Sequence, residues 1–82
     1  MRKMKLSTLT RIARNAMKDE YTYIGQYAYD IQYHPMMSRD CVIRCRRDLI
    51  GEEYMHPAYG YMCSYWEWLE PIDREVWKAI GL

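Results

Sequence analysis

Residues 21–33 read Tyr21-Thr22-Tyr23-Ile24-Gly25-Gln26-Tyr27-Ala28-Tyr29-Asp30-Ile31-Gln32-Tyr33, and two periodicities compete within them. Odd positions hold Tyr, Tyr, Gly, Tyr, Tyr, Ile and Tyr, while even positions are mostly polar. That is the alternation of a half-buried strand, in β-favouring residue types. Against it, thirteen residues exceed the usual strand length, and Ile24, Tyr27, Ala28 and Ile31 also make a helical stripe. Gly25 weakens both readings: it costs about 1 kcal/mol inside a helix and leaves a strand with no side chain to pack. His34-Pro35 then makes a natural helix stop, because the residue before proline is pushed out of the α region. The balance falls on a helix ending near Tyr33, with a hairpin as the rival.

Outward from this stretch the signals are more regular. On the N-terminal side Ser7 is a candidate N-cap, and Leu9, Ile12, Ala13, Ala16 and Met17 repeat at helical spacing behind it. Leu6 is placed to act as a hydrophobic staple. Arg11, Arg14, Asn15 and Lys18 lie off that stripe, so the helix has a basic outer face. On the C-terminal side Ser38, Asp40 and Gly51 punctuate a helix over 38–51, with Cys41, Val42, Cys45 and Leu49 on one face. Its rival is a strand over Cys41–Arg46 with a turn around Gly51. Pro57 suits the first position of a further helix, carrying Tyr59, Met62, Cys63, Trp66 and Leu69 on one side. Glu70-Pro71 ends it, and a last helix places Ile72, Val76, Ala79 and Ile80 inward before Gly81. The expected fold is all-α, a single domain over 1–82 with about four short helices. The alternative is α+β, with a hairpin or small sheet from 21–33 and 41–55.

Composition narrows the function classes. Half of the 82 residues are hydrophobic, yet only 14 are Val, Ile or Leu, none is Phe, and 19 are Tyr, Trp or Met. Tyr, Trp and Met are enriched at protein interfaces, whereas cores lean on branched aliphatics and Phe. A chain of this mass exposes about 5,200 Å² when compact, too little interior for twelve aromatics of about 150–250 Å² each. The length excludes a dinucleotide-binding fold. No run approaches 18 apolar residues, so no membrane partner is expected. The start Met1-Arg2-Lys3-Met4-Lys5 is basic, but Arg11, Arg14 and Asn15 interrupt any leader-type apolar region. An odd three cysteines point to a reducing cytoplasm, that of a host cell if the gene belongs to a phage. Residues 1–18 hold six Lys or Arg and no acid, while 19–82 balance six bases against eleven acids.

Few constellations carry chemistry. Cys41, Cys45, Cys63, His34 and His56 could supply four zinc ligands, but the spacing fits no familiar site and both Cys41 and Cys45 also suit an apolar stripe. No metal, no cofactor and no catalytic residue are expected. His34 and His56 each precede a proline, which suits a turn where the ring bonds free backbone amides. No paired carboxylates and no Gly-rich phosphate loop occur, which argues against an enzyme.

Two features stand out. The aromatic cluster Tyr59, Tyr61, Tyr65, Trp66 and Trp68 cannot face one side of a helix, so part of it is left for a partner. Such residues contribute about 2 kcal/mol or more each at an interface centre. Arg44, Arg46 and Arg47 form a patch suited to bidentate pairing with an acidic protein surface. The same arginines with nearby tyrosines also suit phosphate contact and base stacking. Against nucleic acid stands a sequence pI near 7.7, where dedicated modules exceed about 9. In size and composition alone the chain resembles the small accessory proteins of bacteriophages, such as anti-CRISPR proteins and inhibitors of host enzymes. No motif carries that resemblance, so it transfers no site. The expectation is a non-enzymatic protein-binding module, an inhibitor or adaptor, with a small nucleic-acid-binding protein as the alternative and a homodimer as a further way to cover the aromatics.

Overall fold

The computed structural model describes residues 3–82; the basic start read at Met1 and Arg2 lies outside the described residues. The fold is α+β, not the all-α bundle. A four-stranded antiparallel sheet carries one long helix, one short helix and a separate two-stranded hairpin.

Helix α1 spans Leu6–Met17 and buries Leu9, Ile12 and Ala13 as their spacing predicts, with Thr10 beside them. Ser7 is not its cap. Lys5 enters in extended geometry, its carbonyl accepts from the Leu9 amide at 3.0 Å, and the Ser7 carbonyl accepts from the Thr10 hydroxyl. Met17, expected inward, is exposed. Asp19, at φ 58°, turns the chain out of the helix, a conformation Asp tolerates better than most residues. The Asn15 amide then donates to the Thr22 hydroxyl at 2.7 Å, tying the helix to the first strand.

The deciding stretch is a hairpin. Strand β1 spans Thr22–Ile24 and β2 spans Tyr27–His34, with Thr22 opposite Tyr29 and Ile24 opposite Tyr27. Between them Gly25, at φ 59°, takes the first of two loop positions, the geometry that continues the right-handed twist of both strands. The two-residue loop divides the thirteen residues into strands of ordinary length, which removes the objection to the alternation. It also shifts parity: Thr22 and Ile24 share a face with Tyr27, Tyr29 and Ile31, while Tyr23 lies opposite.

Strand β3, Arg39–Arg46, pairs with the whole of β2, from His34 opposite Arg39 to Tyr27 opposite Arg46. The helix expected over 38–51 is therefore overturned, and Ser38 is a left-handed turn residue at φ 54° rather than an N-cap. Strand β6, Glu67–Pro71, lines the other edge of β3, with a bulge opposite Val42 and Ile43 (β4 and β5 are described below). β3 is thus central and buried on both faces: Cys41, Val42, Ile43 and Cys45 are all inaccessible. A strand buried on both faces reads as a continuous apolar run, from which a helical i, i+4 stripe is easily extracted.

One face of the sheet holds Tyr29 and Val42 against Leu9, Ile12 and Ala13 of α1 and against Ile72 and Val76. The short helix α2, Arg74–Ala79, begins at Asp73, whose carboxylate accepts from the Val76 amide at 3.2 Å. Val76 and Ile72 are buried as expected, but Ala79 is exposed and Trp77 packs on the core instead. The other face carries Ala28, Cys41, Ile43 and Cys45 among longer side chains, with Tyr23 opposite Ala28, Gln32 opposite Cys41, and Asp30 and Trp68 on either side of Ile43.

After a 3₁₀ turn at Arg47–Leu49, strands β4 (Glu53–Met55) and β5 (Met62–Ser64) pair only with each other. The helix expected after Pro57 is instead this hairpin. Proline lies in its loop, closed by the His56 amide to the Tyr61 carbonyl and the Gly60 amide to the His56 carbonyl, both at 2.9 Å. Neither strand packs substantially on the sheet or the helices. The hairpin is an arm. The molecule measures 41 × 28 × 22 Å with a radius of gyration of 13.5 Å, where a compact chain of this length gives about 12 Å. Its 5971 Å² of accessible surface exceeds the roughly 5,200 Å² of a compact protein of this mass. Among the described residues no helix is long and apolar enough to cross a membrane.

Candidate interaction surface

Alternation along the arm sorts its side chains by chemistry. Glu53 and Met55 stand opposite Ser64 and Met62, and Tyr54 stands opposite Cys63 on the other face. His56 and Tyr61 continue that second face beyond the strands, and Tyr65 continues it at the root. The rings touch in sequence: Tyr65 lies 4.8 Å from Tyr54, Tyr54 6.4 Å from His56, and His56 4.4 Å from Tyr59 and 6.3 Å from Tyr61. Tyr59 and Tyr61 are 5.7 Å apart and nearly parallel, at 13°. Five rings thus form one continuous ladder down one face of the arm.

The ladder is open. Tyr59 is 68% exposed and Tyr61 58%, while Tyr54 and His56 are half-buried against their neighbours. Its tip is held by His56, whose Nδ1 accepts from the Ala58 amide at 3.1 Å and the Tyr59 amide at 3.3 Å. An imidazole accepting at Nδ1 carries its proton on Nε2. His34 repeats the device in the β2–β3 turn, accepting from the Met37 amide at 3.2 Å. Both histidines therefore serve turns.

The structure divides the predicted aromatic cluster. Tyr59, Tyr61 and Tyr65 join the ladder. Trp66 sits at the arm's root against Tyr21, ring centres 5.2 Å apart. Trp68 lies in β6 on the sheet face away from the helices, 4.4 Å from His34. Tyr54 and His56 belong to the site although sequence reasoning did not include them. Their signal was the period-two series Tyr54, His56 and Tyr61, Cys63, Tyr65, which a helical reading of 57–69 hides.

Arg44, Arg46 and Arg47 are each engaged inside the molecule. Arg44 pairs with Glu67 and stacks 4.2 Å from the Tyr27 ring centre. The Glu67 carboxylate, and then the Tyr29 hydroxyl, hold its guanidinium still more firmly charged. Arg46 pairs with Asp48 at 2.8 Å, and Arg47 lies 4.6 Å over the Tyr23 ring and donates to the Gly25 carbonyl. They brace the end of the central strand β3 against its neighbours and the β1–β2 turn.

Cys41 and Cys45 share a strand face four residues apart, about 13 Å at strand rise, and burial pushes both thiols up from their ordinary value. Cys63 is half-buried on the ladder face. Among the described residues no three His, Cys, Asp or Glu side chains converge as metal ligands would. Comparison with protein-family models finds no match, nor does comparison with curated proteins or with solved structures.

Proposed function

We propose that this chain is a non-enzymatic protein-binding module, a small cytoplasmic inhibitor or adaptor of the phage-accessory kind, and that the β4–β5 arm is its binding element. One observation carries the reading: five rings line one face of an arm whose strands make no substantial contact with the sheet or the helices among the described residues. Burying aromatic area stabilises a protein only where something covers it, and the sheet and helices leave this area uncovered. Large rings of low side-chain entropy, clustered and exposed, are the composition of an interface centre. Trp68 and Tyr23 are also exposed on the sheet face away from the helices, on its two opposite edge strands.

The arginines support the nucleic-acid alternative less than their sequence does, because Arg44 and Arg46 already face carboxylates. The test is quantitative capture from a cognate lysate by wild type and by the Tyr59→Ala/Tyr61→Ala double variant, with circular dichroism as the check on folding. A stoichiometric protein retained by the first and lost by the second is the expected result. Equal capture by both removes the arm from the interface.

A further inference from the structure

We infer that the ladder face of the arm takes a basic polypeptide segment, its arginine or lysine side chains lying on the rings of Tyr54, His56, Tyr59 and Tyr61. This rests on the arm being the binding element and names the chemistry of its partner. Aromatic ring faces are electron-rich and attract cations, guanidinium groups above all, within about 6 Å of the ring centre.

The segment that contains the arm carries charge of one sign, and the nearest cation at its root, Arg46 in the cavity beside Tyr65, is paired with Asp48. Between Arg47 and Arg74 there is no Lys or Arg, but there are Asp48, Glu52, Glu53, Glu67, Glu70 and Asp73. Four of these acids are committed: Asp48 and Glu67 to arginines, Glu70 to burial in β6, Asp73 to capping α2. Glu52 and Glu53 are exposed at the foot of β4 and pair with no base among the described residues. Two uncompensated carboxylates at the foot of the arm, with Glu53 on the face opposite the rings, give the whole arm a negative potential that favours a cationic segment and disfavours phosphate. It also raises the encounter rate with a positively charged partner.

The molecule makes the same contact internally. Arg44 over Tyr27 and Arg47 over Tyr23 are arginine–tyrosine stacks at 4.2 and 4.6 Å. Tyr59 and Tyr61 present the same ring type, and no arginine among the described residues lies upon it. A nucleic-acid strand would find rings for its bases, but two free carboxylates and, at the root, an Arg46 already paired with Asp48.

The probe is a synthetic twelve-residue peptide alternating Arg with Gly and Ser, titrated into the full chain and followed by the aromatic proton resonances. The controls are the same peptide with Glu for Arg, and a single-stranded oligothymidine. Expected is binding of the Arg peptide alone, shifting the Tyr59 and Tyr61 resonances. Loss of two exposed cation–ring contacts in Tyr59→Ala/Tyr61→Ala should weaken it about tenfold. Glu52→Gln/Glu53→Gln should weaken it severalfold and flatten its salt dependence while leaving the ring contacts in place. Sheet amide resonances report that both variants are folded. Binding of the Arg peptide no tighter than the Glu peptide, or undiminished in the tyrosine variant, or reversed by the oligothymidine, overturns the inference. Arm-dependent self-association in light scattering also overturns it, because the occupant is then a second copy. If the lysate partner is lost with Tyr59 and Tyr61 yet ignores excess Arg peptide, the arm stands as the binding element and the basic chemistry falls.

Discussion

His56 holds the tip of the arm through a single nitrogen that accepts two backbone amides. Removing it should therefore leave two donors to water and loosen the ring stack without touching the core. His56→Ala is expected to broaden or shift the Tyr59 and Tyr61 ring resonances while the melting temperature moves little. His56→Asn, whose carbonyl can take the same role in an Asx-type turn, should restore part of the pattern. Asp30 makes a different test. Its carboxyl is held above the usual carboxylate range, chiefly by burial and further by Asp19, against the lowering effect of the Ile31 amide it accepts from. A raised folded-state value means the folded chain binds that proton more tightly than the unfolded chain does. The associated stability is complete below about pH 4 and is lost as pH rises through the folded value. Asp30→Asn is thus expected to raise the melting temperature at pH 7 and to leave it unchanged near pH 3. At this scale the sequence was partly legible. The histidines before proline read correctly as ring-to-amide turn residues, but neither was visible as part of a ladder, since ring stacking depends on which strand lies opposite.

Among the elements, α1 and the β4–β5 arm mark two extremes of stability. α1 covers the sheet with Leu9 and Ile12, both fully buried. Truncating such a residue costs about 2–5 kcal/mol, against a total of about 4–12 kcal/mol for a domain of this length. Ile12→Ala should therefore remove a large share of the total stability, read as a marked fall in the denaturant midpoint. The arm is a two-stranded hairpin, marginal by itself in water, and its amides are expected to exchange with deuterium well before those of the β2–β3 pair. If arm and sheet amides exchanged together, the two would be one cooperative unit. The amphipathic stripe of α1 and the Gly81 stop of α2 were readable because helix signals are local, whereas α2 starts after Asp73 and not at the Glu70-Pro71 boundary that the sequence suggested. Strands β2 and β3 were not, because Tyr27, Ala28 and Ile31, or Cys41 and Cys45, satisfy a helical spacing as well as a strand buried on two faces. Only their pairing, His34 with Arg39 through Tyr27 with Arg46, separates the two.

For the molecule as a whole, stability and proposed binding occupy different parts of the chain. The sheet and helices hold nearly all the buried apolar residues, and the arm holds the ladder. Replacing residues 53–64 by a short Gly/Ser linker is expected to preserve the cooperative melt and the sheet's amide spectrum while abolishing capture of the partner. Loss of folding would show that the arm supports the sheet. The surplus of Tyr, Trp and Met over branched aliphatics, together with the amphipathicity of α1 and the stop signals of α2, was determined by the sequence itself, being a matter of composition and of neighbours three or four residues apart. The tertiary structure decided the rest. It showed which of two periodicities residues 21–33 obey, that the arginines are spent on Glu67, Asp48 and tyrosine rings, and that Tyr54 and His56 align with Tyr59, Tyr61 and Tyr65. Those outcomes depend on strand register and on loop closure, where residues distant in the chain meet. No local preference of a tyrosine specifies the ring it will stand against.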